Sequence, residues 1–298
     1  LNAAHFGEIN DYWGGLRDLE GKRIRVLHSI SFIDDPTRIL RAVRLEQRLG
    51  FEIEPRTREL IARALPLLHR VSGDRIRHEL EAIFNEPSPE NALRRLQDLD
   101  ILAQIHPALE WNSSLAGRIR RAAGAALDPA WGMEGDVRDV FPPLYAWLLG
   151  HPAAALDGIL KRLNVPKRNA ESIREARRIL EDLAELPVDS PPSRLVDLLE
   201  DAPEPALVGA YLQADGPARG WIGRYLSEWR KIAVRTDGTV LRARGLPPGP
   251  RYREILRALR SARLDGEITG PEDEARMLDR LLADLPESSR MEKPHAGE

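Results

Sequence analysis

The sequence predicts a mainly α-helical protein, and three observations carry the prediction. Leu, Ala, Arg and Glu predominate while aromatic residues make up only 5% of the chain, a composition that favours helix over pleated strand. Apolar residues recur at three- and four-residue spacing along most of the sequence, the period of a helix face. Proline and glycine punctuate those runs at positions suited to helix starts and stops.

With 298 residues the chain is long enough for more than one domain, and 42% hydrophobic residues allow a sizeable core. There is no cysteine, which excludes disulfides and thiolate metal sites and accords with a reducing compartment. No run approaches 18 apolar residues and no signal peptide is visible, so a cytoplasmic location is expected. The net charge of −3 is not the strongly basic balance of a general nucleic-acid binder. Any such contact would use a local basic face.

Taken in order, Gly7–Tyr12 reads as a short strand and Trp13-Gly14-Gly15 as a turn. Asp18, Gly21 and Arg25 follow as a capped turn. The stretch from Phe32 to Leu45 organises what comes next. Asp35 is placed to cap a helix, and Pro36 suits its first position, where a missing N–H costs nothing. Arg38, three residues after Asp35, lies beside it. At ~100° per residue, Arg41, Arg44 and Arg48 share an arc of roughly 60°, while Ile39, Leu40 and Val43 form the buried side. Gly50 suits the residue after the helix end. Phe51–Pro55 is an extended link, because Pro55 biases Glu54 away from helix, and Thr57–Leu68 continues helically.

A further helix carries Ile76, Leu80, Ile83 and Phe84 at helical spacing. On it, Arg75 and Glu79 stand one turn apart. A salt bridge between them is the favoured reading, and support of the Asp35 helix is the alternative. Ser88-Pro89 opens a helix with Ala92, Leu93 and Leu96 inward, and Leu99–Pro107 closes that unit. Arg118, Arg120 and Arg121 form a basic run that is either a solvated face or a phosphate contact. Helices follow at about 142–149, 153–163 and 168–184, the last with Ile173, Ala176, Leu180 and Leu183 on one side. Pro187–Pro192 is a break. Beyond it come helices near 193–200, 204–213 and 217–233, then a Gly245–Pro250 turn. That turn opens a helix with Ile255, Leu256, Leu259 and Ala262 inward and Gly266 at its end. Residues after about Leu285 are polar and expected to be disordered.

The pairing of Asp35 with Arg38 has a specific chemical capacity. Adenine and cytosine each present an exocyclic amine beside a ring-nitrogen acceptor, and guanine and uracil present the reverse. A carboxylate accepting from the amine, next to a guanidinium donating to the ring nitrogen, takes A and C and refuses G and U. Arg41 and Arg44, a turn further on, suit phosphate oxygens. A capped helix start with a local ion pair and a solvated arginine face has the same spacing, so spacing alone leaves both readings open.

Gly14–Leu27 followed by Asp34-Asp35-Pro36-Thr37-Arg38-Ile39-Leu40-Arg41-Ala42-Val43-Arg44 resembles the bacterial tRNA nucleotidyltransferase/poly(A) polymerase family, the class II CCA-adding or A-adding enzymes. The first run is similar to the hinge motif between the family's head and neck domains. On that resemblance Asp18, Gly21 and Arg25 coordinate movement of the two. The second run is similar to the amino-acid template motif, usually Glu-Asp-x-x-Arg, with Asp34 here in place of Glu. The resemblance assigns nucleotide binding to Asp34, Asp35, Arg38, Arg41 and Arg44. The stretch around Arg75 and Glu79 resembles the family's later neck motif, and Gly245–Pro250 its tail.

The resemblance implies a multi-helix, elongated fold. Its parts are a remnant of an α/β nucleotidyltransferase head and hinge over 1–29, a neck over 30–87, a body over 88–190 and an RNA-binding tail over 191–285, with 286–298 disordered. It further implies transfer of AMP or CMP from ATP or CTP to the 3′ end of tRNA or another RNA. In the family, Mg²⁺ ions held by head carboxylates activate the RNA hydroxyl and neutralise the leaving pyrophosphate. The head's Asp-x-Asp pair has no counterpart near the N-terminus. No catalytic or metal residue is therefore expected in this sequence, and the chain alone is expected to be inactive. A helical RNA-binding module without catalysis is the alternative.

Overall fold

Helix starts in this chain are set largely by proline. Pro55, Pro89, Pro143, Pro192 and Pro250 each occupy the first position of a helix, where the ring's fixed φ is already helical and no N–H is lost. The structure, a computed structural model, describes residues 10–284. The expected strand at Gly7–Tyr12 lies partly outside those residues, and Asn10–Tyr12 is not extended into a strand. The expected disorder of 286–298 also falls outside them. The described chain is mainly α, with two strands of two residues each. It gathers into two compact units, one comprising residues up to Ala125 with Phe141–Arg174, the other Ala126–Val140 with Glu175 onward.

The first unit opens with α1 (Gly15–Glu20), β1 (Arg23–Ile24), α2 (Ser31–Asp34), α3 (Arg38–Leu49) and β2 (Glu52–Ile53). The strands pair in parallel, Arg23 opposite Glu52 and Ile24 opposite Ile53, so the extended link after Gly50 has a partner distant in sequence. Gly50 adopts φ 63° at the end of α3, a left-handed turn that suits glycine. Next come α4 (Pro55–Ala64), capped by the Glu54 carboxylate on the Thr57 N–H at 2.8 Å, then α5 (Gly73–Phe84), α6 (Pro89–Asp98) and α7 (Ile101–Ile105). The unit closes with α8 (Ser113–Gly124), α10 (Pro143–Leu149), α11 (Ala153–Arg162) and the start of α12 (Lys167–Ala184). The one-turn α9 (Val137–Val140) belongs to the other unit.

The core of this unit is the meeting of α3, α5 and α6. Ile39, Leu40 and Val43 of α3, Ile76, Leu80 and Ile83 of α5, and Leu93 and Leu96 of α6 are all fully buried, each contributing roughly 1.5–3 kcal/mol of burial free energy. A polar fastening crosses the same core. Glu46, 4% exposed, accepts hydrogen bonds from the Ile53 N–H at 3.0 Å and from Arg95 at 2.8 and 3.2 Å. It ties α3 to β2 and α6 together.

In the second unit Trp131 is buried edge-on against Tyr211, ring centroids 4.8 Å apart. Arg230 donates to the Trp131 carbonyl and Lys231 to that of Ala130, which is why the 126–140 segment belongs here. The unit contains α13 (Pro192–Leu199), α14 (Glu204–Gln213), α15 (Gly216–Ser227), α16 (Gly238–Ala243), α17 (Pro250–Leu264) and α18 (Pro271–Ala283). The Pro187–Pro192 break lies within it. The helix expected over 217–233 stops at Ser227 and is followed by a short 3₁₀ turn. On α12, Ile179 is buried where the sequence placed Leu180. α16 and α18 fall where the sequence predicted no helix; α18 opens with three acidic residues that hide its periodicity.

Candidate functional site

The site forms where α2 hands over to α3. Asp35 is extended (φ −145°, ψ 93°) between the two helices, and α3 begins at Arg38 with Thr37 preceding it. The expected cap is thus displaced. The Asp35 carboxylate folds onto Thr37, two residues on, instead of onto the next turn. Its Oδ1 accepts from the Thr37 N–H at 3.1 Å and from the Thr37 hydroxyl at 2.6 Å, a local turn that Asp readily forms. Thr37 is only 2% exposed, so this lock is shielded from water.

A third donor reaches the same oxygen from α5. The Arg75 guanidinium lies 2.7 Å from Asp35 Oδ1. The salt bridge expected between Arg75 and Glu79 is absent: Glu79 instead pairs with Arg41 of α3 at 2.5 Å. The reason is packing. α3 and α5 lie side by side through their apolar faces, which brings their polar flanks together, and each side chain finds a partner across the interface. Glu86, at the end of α5, makes the same kind of contact, 3.1 Å from Arg44 and 3.9 Å from Arg48. The basic face of α3 is therefore substantially neutralised.

Burial alone would raise the Asp35 pKa, but the Thr37 hydroxyl and N–H and the Arg75 charge outweigh it and hold the carboxyl below the ordinary range. The group is ionised at neutral pH. Its other oxygen, Oδ2, accepts no hydrogen bond from the described residues and faces Arg38 Nε at 4.0 Å. Arg38 is half exposed and leans on the Ser31 carbonyl at 3.4 Å. One open acceptor thus stands beside one open donor group. Asp34 is exposed at the end of α2, and its carboxylate joins none of these contacts. A hollow walled by Ile33, Pro36, Leu67 and Arg70 flanks the Arg75 side.

The three residues expected at the hinge are brought together in part. Arg25 holds the Asp18 carboxylate at 2.9 and 3.1 Å through Nε and reaches the Trp13 carbonyl at 2.6 Å. Gly21 follows α1 as its cap; a Cβ there would sit 3.1 Å from the Arg17 carbonyl oxygen. On α8, Arg120 is exposed while Arg118 and Arg121 are half-buried, so the run does not present one face. Thr37, Glu86 and the Glu46–Arg95 pair were missed from sequence. Asp-Pro-Thr carries a local turn signal for the first. The others pair across distances of 38 residues or more and leave no local trace.

Comparisons with known proteins bear on these residues. Residues 50–112 match a family described as the probable RNA and SrmB-binding site of polymerase A. An A-adding tRNA nucleotidyltransferase of Geobacter sulfurreducens is 33% identical over 94% of this chain, and another of Halalkalibacterium halodurans is 28% identical over 92%. Over most of its length the chain is similar to members of the tRNA nucleotidyltransferase/poly(A) polymerase family. Its fold is similar to that of a solved CCA-adding enzyme in complex with ATP, with a TM-score of 0.71 at 29% identity over 96% of this chain and 69% of that one. A Thermotoga maritima CCA-adding enzyme complexed with tRNA gives 0.65 at 29%, over 93% and 67%. The chain spans a third of the length of the first relative and 62% of the second.

The resemblance implies magnesium, which would require convergent oxygen ligands. Among the described residues no group of three or more His, Asp or Glu side chains is arranged to hold a metal ion. These residues do not fit the metal site. Nor is any described helix long and apolar enough to cross a membrane.

Proposed function

We propose that this chain supplies base selection and RNA binding to addition of A, or of C and A, at the 3′ end of tRNA. The observation that carries the reading is the Asp35 carboxylate, with Oδ1 committed to three donors and Oδ2 open beside Arg38. An adenine or cytosine edge satisfies both groups at once. A guanine or uracil edge sets carbonyl oxygen against carboxylate and N–H against guanidinium, leaving both sides unpaired in a partly shielded site. ATP and CTP are the nucleotides this predicts. Arg75 and Glu79 support the α3 face through Asp35 and Arg41, and Asp34 sits at the rim. Arg41 and Arg44 reach nucleotide phosphates by sharing their carboxylate partners. Asp18, Gly21 and Arg25 form the pivot.

RNA contact is assigned to the 50–112 region and to Arg120 with its neighbours Arg118 and Arg121, a reading supported by the family match and by the tRNA-bound relative. The metal-dependent transfer step is supplied from outside the described residues, and the purified chain alone is inactive. Metal-dependent incorporation by the purified chain would refute that statement. Base selection is tested by joining the chain to a relative's nucleotidyltransferase domain. Asp35→Ala and Arg38→Ala are expected to incorporate G and U alongside A and C while melting as the parent does. Unchanged selection in both variants would remove the template assignment. An RNA-binding module without catalysis is the second reading, favoured by the description of the matched family. It predicts salt-dependent RNA binding with no preference among nucleotides.

A further inference from the structure

We infer that Thr37 is a positioning residue for base selection: its buried hydroxyl fixes the Asp35 carboxylate so that a single oxygen, on one side of Arg38, faces the base. The inference rests on the base-reading role of Asp35 and Arg38 and deepens it.

The need for such a residue follows from the chemistry of the pair. A carboxylate and a guanidinium do not by themselves distinguish the A/C edge from the G/U edge. If the two groups trade places, the acceptor meets the N–H of guanine or uracil and the donor meets its carbonyl, and the refused bases become good ligands. Discrimination therefore depends on preventing the exchange. Arg38 is half exposed and lightly held, by a 3.4 Å contact to the Ser31 carbonyl and a 4.0 Å approach to Asp35 itself, so its position does not enforce the order. Asp35 must do so.

The geometry assigns that task chiefly to Thr37. Its hydroxyl lies 2.6 Å from Asp35 Oδ1, the shortest of the three contacts there, and it is 2% exposed. A charge-assisted O–H bond of that length, from a buried hydroxyl, is strong and directional. The Thr37 N–H at 3.1 Å points to the same oxygen. Arg75, which approaches the oxygen at 2.7 Å, also lies 3.5 Å from the Thr37 hydroxyl oxygen, so the hydroxyl aligns both partners. Rotation of the carboxylate toward the far side of Arg38 would break all of these contacts together. Arg75 alone holds less firmly, since its side chain is 53% exposed.

The test uses the whole chain and the affinities of ATP, CTP, GTP and UTP. Thr37→Val keeps the branched shape and replaces the hydroxyl by a methyl, which cannot approach the oxygen as a hydroxyl does and displaces the carboxylate. Thr37→Ala removes the group, and Thr37→Ser restores the hydroxyl without the methyl. The parent and Thr37→Ser are expected to prefer ATP and CTP. The Val and Ala variants are expected to lose roughly fivefold or more of that preference, the loss of one well-placed hydrogen bond, while retaining the parent's cooperative unfolding. If the Val and Ala variants discriminate as the parent does, the inference is overturned and base reading by Asp35 stands. Loss of preference in Thr37→Ser as severe as in Thr37→Ala also overturns it, because the hydroxyl is then not the agent. If the parent itself shows no preference, the base-reading role fails and the inference falls with it.

Discussion

Gly73→Ala is the substitution whose cost can be worked out most fully. Gly73 is the first residue of α5. A Cβ there would lie 2.3 Å from the Arg162 carbonyl oxygen, 2.7 Å from the Leu163 carbonyl carbon and 2.8 Å from the Asn164 nitrogen. All three are backbone atoms, so no side chain can swing aside. The two segments are also bound to each other. Arg77 donates to the Leu163 carbonyl at 3.3 Å and to that of Asn164. The Asn164 amide meets Asp74 at 2.7 Å, and Arg162 donates to the Leu68 and Val71 carbonyls at 2.8 and 3.1 Å. Making room requires the segments to part by on the order of 1 Å, an overpacking strain of about 1–3 kcal/mol. Stretching one or two of these hydrogen bonds adds about 1 kcal/mol each, and the helix preference of Ala returns less than about 1 kcal/mol. The net expectation is a loss of about 1–5 kcal/mol, read as a lower urea midpoint at unchanged slope. Gly117→Ala on α8, where a Cβ meets nothing within 4 Å, serves as the comparison and should be neutral or stabilising by up to ~1 kcal/mol. Equal midpoints for the two variants would refute the packing argument. Arg75 lies two residues past Gly73, so the same variant should also weaken the preference for A and C.

Other expectations follow from the same contacts. Glu46→Ala leaves the Ile53 N–H and Arg95 without their shared acceptor and should cost about 3 kcal/mol in chemical denaturation, in the range for breaking a buried pair. Glu79→Ala removes a pair whose Arg41 partner is half exposed, so the stability change should stay below about 1 kcal/mol; the same variant frees Arg41, and ATP affinity should rise. His151 is buried, accepting from the Glu110 N–H at 3.3 Å and bonded to the Trp147 carbonyl at 3.0 Å. Burial depresses its pKa below the ordinary value despite the contact with the Trp147 carbonyl. The unfolded chain therefore takes up the proton first, and stability should decline as pH falls below about 6.5. His151→Gln should flatten that decline in pH-dependent melting.

The helices were legible wherever their periodicity was local. Ile39, Leu40 and Val43, and Ile76, Leu80, Ile83 and Phe84, are buried as their spacing predicts, because one face must meet a neighbour whichever neighbour it is. The partner was not legible. Arg75 and Glu79 stand one turn apart, and local spacing alone pairs them; only the approach of α3 redirects them to Asp35 and Arg41. Arg44, Arg48 and Glu86 show the same limit, since a solvated basic face and a face neutralised from another helix have identical sequence. Asp35 and Arg38 were found through their motif. The lock on Asp35 was missed because its shortest contact is to the Thr37 hydroxyl, a side-chain partner that a helix cap does not require.

The central claim is that Asp35 and Arg38 read the edge of the base, and competition between ATP and ITP tests it most directly. The two nucleotides share sugar, phosphates and ring shape. ITP exchanges the amine for a carbonyl and the ring acceptor for an N–H. The chain should prefer ATP by roughly tenfold or more, the worth of one good paired contact, and Asp35→Ala should bring the two affinities together. Equal affinities in the parent, or a preference that survives in Asp35→Ala, would contradict the account.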